Sequence, residues 1–186
     1  MRKNNQTKGV FCLEGLWDSD LRRKSTIRPI LELLTDNVAI PFIHRDCATA
    51  TELEYYLARW QQKKYEGYPI LYLAFHGSES AIEIGNTLIA LDDLAGMVEG
   101  KCNNKIIVFG SCSTLNIDKR HLTRFLKTTG ALAVCGYKSD VKWMLSTAFE
   151  LLVLNEMQNN EYSGRGIEAI ANKLNEIGRA SCRERV

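Results

Sequence analysis

No stretch of this chain approaches the roughly 18 consecutive apolar residues that a membrane-spanning helix needs. Its first residues do not read as a secretory signal. The basic start Met1-Arg-Lys-Asn-Asn-Gln-Thr-Lys8 leads into a short apolar run that contains Glu14. A cytoplasmic protein with no membrane partner is the expectation. The cysteines include no Cys-x-x-Cys pair, which argues against a zinc site or a disulfide framework. Reduced thiols suit the cytoplasm, and neither a metal nor a cofactor is expected. No Gly-x-Gly-x-x-Gly or Walker sequence follows any apolar run, so a nucleotide-binding Rossmann domain is disfavoured. Internal repeats and low-complexity segments are missing too. What remains is an ordinary globular composition, 45% apolar and 25% charged, in 186 residues, enough for one domain with a real core.

The final segment stands apart. Ile177-Gly-Arg-Ala-Ser-Cys-Arg-Glu-Arg-Val186 has no apolar period and resembles the translation of a short-read sequencing adapter. The expectation is therefore one domain over 1–176, with 177–186 foreign to it and the natural chain continuing past Glu176. Without Arg179, Arg183, Arg185 and Glu184 the formal charge falls from +2 to zero. The electrostatic case for nucleic acid then disappears. The remaining cysteines are Cys12, Cys47, Cys102, Cys112 and Cys135, an odd number that again disfavours paired disulfides.

Strand-like and helix-like segments alternate. Val10–Leu16 reads as a strand. Ser25 should cap a helix over Ile27–Leu34 with Pro29 in its first turn. Val38–Ile43 reads as an edge strand because it holds Pro41. Thr49 or Thr51 should cap a helix carrying Leu53, Tyr56, Leu57 and Trp60 at helical spacing. After the apolar run Pro69–Phe75, the alternating piece Ala81–Leu91 turns at Gly85-Asn86 as a hairpin. Asp92 or Asp93 starts a short helix, and the run Lys105–Gly110 is the next strand. Asp118 caps a helix closed by Gly130. Ala131–Tyr137 reads as a strand, and helices follow over Val141–Met157 and from Ile167 to Leu174. This alternation predicts an α/β protein, a three-layer α/β/α sandwich on a mostly parallel sheet. Ligand sites in such sheets lie at the carboxyl ends of the strands.

Two chemistry-bearing residues fall at those ends. His76 follows the run ending at Phe75, and Cys112 follows the run ending at Gly110. On adjacent strands, roughly 4.8 Å apart, they would face one cleft. A thiol beside a histidine is a nucleophile–base arrangement.

The pattern resembles the caspase-like cysteine peptidases, and among them the CHAT branch. The resemblance rests on Phe75-His76-Gly77, Gly110-Ser111-Cys112, the hairpin leading to Leu91-Asp-Asp-Leu94, and the block Phe125-Leu-Lys-Thr-Thr-Gly-Ala131, and it covers residues 10–157. It implies a cysteine endopeptidase acting on a protein or peptide substrate. Cys112 would attack the scissile carbonyl, and His76 would protonate the leaving amine. The N–H groups of Gly77 and Cys112 would form the oxyanion hole. The chain departs from the family in lacking a second histidine shortly before His76 and in carrying Gly110 where a polar residue is common. A catalytically silent member working as an interaction module, with a regulatory protein partner, is the alternative. An α/β-hydrolase fits poorly, because Gly110-Ser-Cys-Ser-Thr is not the Gly-x-Ser-x-Gly elbow.

Glu14, Ser111 and Asp140 are candidate substrate-binding residues. Glu14 and Asp140 in particular could lend negative charge to a pocket for a basic side chain. His44 is expected to be structural, His121 solvated, and Cys12 and Cys135 part of the core, as are Trp143 and Phe149.

Overall fold

The computed structural model describes residues 7–23 and 25–180, the last four as backbone only. Its centre is a five-stranded, wholly parallel sheet in the order β2-β1-β3-β7-β8. The strands are β1 (Val10–Glu14), β2 (Phe42–Asp46), β3 (Ile70–Ala74), β7 (Ile106–Phe109) and β8 (Ala133–Cys135). The inner three are buried along their whole length, as strands covered on both faces must be. Alternate side chains divide between two cores. On one face Phe11, Leu13, Leu71, Leu73, Ile107 and Phe109 meet α2 (Ala50–Trp60), α3 (Leu91–Met97) and α4 (Lys119–Thr129). On the other, Val10, Cys12, Ile70, Tyr72, Ile106 and Val108 meet α1 (Arg28–Val38), α5 (Trp143–Glu156) and α6 (Gly164–Ala180). The protein is thus a three-layer α/β/α sandwich. No helix among the described residues is long and apolar enough to cross a membrane.

Local chemistry explains most boundaries. Thr49 and Glu52 form a reciprocal capping box at the start of α2. Asp118 accepts the His121 N–H to open α4, and Gly130 closes it at φ 73°. The hairpin forms β5 (Ala81–Ile84) and β6 (Thr87–Ala90), outside the main sheet. Several expectations are corrected. Ser25 does not cap α1, whose Ile27 N–H is taken by Glu14 instead. That helix runs on through Val38, so β2 starts only after Pro41, although it is an edge strand as expected. Trp143 and Phe149 are not core; they are 37% and 46% exposed. His76-Gly-Ser78 is itself a strand, β4, paired antiparallel with β5. Finally, α6 begins at Gly164, before Ile167, and runs past Leu174 as helix through Ala180, while residues 181–186 of the tail lie outside the described residues.

Candidate active site

Register brings the two predicted residues together. Strands β3 and β7 pair from Ile70 with Ile106 to Leu73 with Phe109, a constant offset of 36 residues, and His76 and Cys112 are 36 apart as well. Both lie just beyond the carboxyl ends of these neighbours, and both line one cleft of about 220 Å³. Gly77 locks the two segments against each other. A Cβ at that position would lie 2.6 Å from the Cys112 carbonyl oxygen and 2.3 Å from Thr114 Oγ1, so only glycine fits. The turn after the thiol is tightly held. Ser113 sits in the left-handed region at φ 56°, and its hydroxyl donates to Asp140 at 2.7 Å. Leu115 N–H donates to the Tyr137 carbonyl. No acceptor meets the Cys112 N–H among the described residues.

The histidine is oriented by a backbone carbonyl. Its Nε2 lies 3.0 Å from the Trp17 oxygen. A carbonyl can only accept, so Nε2 carries a hydrogen, and Nδ1 is the nitrogen left to exchange a proton. The Trp17 ring packs edge-on to the imidazole at 5.3 Å and to Trp143 at 4.6 Å. Trp17 is itself anchored, because its indole N–H donates to Glu14. The Cys112 sulfur rests on the backbone of Val141, 3.5 Å from its nitrogen and 3.8 Å from its oxygen. Histidine and thiol therefore share the cleft, but each is hydrogen-bonded to a different segment.

The three proposed substrate-binding residues are not in the cleft. Glu14 is buried, and its carboxylate accepts from Trp17, Thr26 (2.6 Å), the Ile27 N–H (2.8 Å) and His44 (2.6 Å). Burial favours its neutral form, but the four donors together outweigh burial and hold its pKa below the ordinary value. A carboxylate so fully engaged is an anchor for the Trp17 loop and the start of α1. Ser111 is buried and tied to Thr114 at 2.7 Å. Asp140 is exposed and braces Ser113. His44 is structural, as expected. Glu14, His44 and Asp46 place ligand atoms within 4.8 Å of one another, which is close enough for a metal. The donors already on Glu14 make this a hydrogen-bond network instead.

Sequence reasoning missed Trp17 and Glu150. Glu150 is buried, lines the cleft, and accepts from Tyr72 and from Tyr137 at 3.0 Å. Gly110 makes this possible, because a Cβ there would lie 2.7 Å from the Tyr72 ring that reaches past it. The signal in the sequence was a lone ionisable residue in the mostly apolar segment Trp143–Leu154, whose other polar residues are Ser146 and Thr147. Burial also sorts the thiols. It pushes Cys47 up to about 12 and Cys102 and Cys135 to about 11, and it raises Cys12 as well. Cys112 is half-buried at the cleft.

Residues 7–184 match a family described as a family of unknown function, DUF6642. The chain belongs to that family. No curated protein matches it. The DUF6642 assignment names no chemistry, so any functional reading of this member rests on the site itself.

Proposed function

We propose that the protein is a cysteine endopeptidase of the caspase-like type, cleaving a protein or peptide substrate through His76 and Cys112 in a cytoplasmic setting. One observation carries the reading: the two side chains line a single cleft at the carboxyl ends of adjacent parallel strands, with Gly77 pressed against the Cys112 backbone. In this scheme the Cys112 thiolate attacks the peptide carbonyl. The S–C bond forms, and negative charge moves to the carbonyl oxygen, which the N–H groups of Cys112 and Gly77 receive. When the C–N bond breaks, a proton on His76 Nδ1 passes to the leaving amine. Water then releases the acyl group. The Trp17 carbonyl acts through His76 by holding its ring.

A second reading, a silent interaction module, is favoured by the separate hydrogen-bond partners of His76 and Cys112. One experiment on the full chain separates them. Iodoacetamide at neutral pH should alkylate Cys112 ahead of Cys12, Cys47, Cys102 and Cys135. Cleavage of an unfolded protein substrate should be lost in Cys112→Ala and in His76→Ala, with the double variant no worse than either. Alkylation of Cys112 no faster than of buried Cys47, together with no cleavage, would replace the peptidase with the interaction module.

A further inference from the structure

Glu150 is the one buried charged residue on the wall of the cleft, 6% exposed. Its carboxyl meets the hydroxyls of Tyr72 and Tyr137, and among the described residues no Lys, Arg or His pairs with it. A buried carboxylate without a countercharge is costly. The space beside it is walled by Ile27 and Phe75 and flanked by the Trp17 and Trp143 rings. At about 220 Å³ it lies below the roughly 300–1,000 Å³ typical of small-molecule sites and is matched in size to one long side chain.

We infer that the cleft is the pocket for the substrate residue preceding the cut, and that Glu150 makes it select lysine or arginine. This rests on the peptidase reading. The aliphatic stem of such a residue lies along Ile27 and Phe75 while its cation reaches Glu150. The tryptophan rings at the mouth favour a cation further. An acidic occupant would be repelled, and an apolar one would leave the carboxyl uncompensated. Burial raises the Glu150 pKa against the pull of the two phenol hydrogen bonds, and an incoming cation would oppose that rise.

The test uses tripeptidyl acyloxymethyl ketones that differ only in the residue before the warhead: lysine, arginine, norleucine or glutamate. The thiolate forms a thioether and expels the carboxylate, and mass spectrometry reads the alkylated cysteine. The lysine and arginine probes should label Cys112 about tenfold or more faster than norleucine, with glutamate slowest. In Glu150→Gln the lysine-to-norleucine ratio should collapse towards one. In Thr147→Lys, which sets a cation on the same wall at a half-exposed position, labelling by lysine should fall while labelling by norleucine persists. Norleucine matching lysine in the wild type, or an undiminished ratio in both variants, overturns the inference and leaves the peptidase standing. If no probe labels Cys112 ahead of Cys47, the peptidase reading falls and the inference with it.

Discussion

Replacing Gly77 with alanine should harm the site more than the fold. The new methyl would sit 2.3 Å from Thr114 Oγ1, 2.6 Å from the Cys112 carbonyl oxygen and 2.8 Å from Ser111 Cβ. Ordinary contact begins near 3.4 Å, so the Cys112 carbonyl must retreat by about 0.8 Å and the hydroxyl by about 1.1 Å. Neither neighbour is free to turn away. The Thr114 hydroxyl is held by Ser111 at 2.7 Å and by the Ala81 carbonyl at 3.1 Å. On the other side, β4 is paired to β5 through Gly77 and Ile82. Overpacking of this kind costs about 1–3 kcal/mol, a modest part of a domain's stability. A nucleophile displaced by about 1 Å can lose on the order of 100-fold in rate. Urea unfolding should therefore show a small shift in midpoint, whereas iodoacetamide labelling of Cys112 and substrate cleavage fall steeply. Gly96→Ala in α3 is the matched control, since a Cβ there meets nothing within 4 Å. It should gain about 0.4–1 kcal/mol from the unfolded chain's lost freedom. A Gly77→Ala protein with the wild-type midpoint and the wild-type Cys112 labelling rate would refute the contact and the site geometry built on it.

Glu14→Gln should cost about 1.5–3 kcal/mol at neutral pH, because four donors lose a charged acceptor. The folded pKa of Glu14 is depressed, so its contribution is present above the unfolded value of 4.5 and is lost as pH falls through the folded value. Thermal melts from neutral to acid should thus show wild type losing stability more steeply than Glu14→Gln below about pH 4.5; parallel curves would remove the carboxylate from the network. Thr49→Ala should cost about 1 kcal/mol by breaking the capping box, read as a lower urea midpoint with native labelling of Cys112.

Most of the architecture was legible in one dimension. Continuous apolar runs marked the inner strands, alternation marked the hairpin, 3.6-residue spacing marked the helices, and Asp118, Thr49 and Gly130 marked helix ends through side-chain and backbone chemistry that acts within a few residues. That His76 and Cys112 line one cleft could also be anticipated, because in a parallel sheet strand ends share a rim. The acidic residues were less legible. Glu14 and Asp140 followed or ended predicted strands at the correct rim, yet one is sealed under Trp17 and the other faces solvent beside Ser113.

By itself the sequence determined most of the strand and helix segments, though not β4 at His76–Ser78, and so the layered fold. Both follow from local backbone preference and from the need to bury each apolar face. Only the tertiary structure decided what each polar group near the rim does. Glu14 becomes an anchor because Trp17, Thr26, Ile27 and His44 converge on it from three separate segments. Glu150 becomes the buried acid of the cleft because Gly110 lets the Tyr72 ring reach α5. The role of a charge is set by the donors and the dielectric around it. Those come from residues distant in sequence, and no pattern along the chain records them.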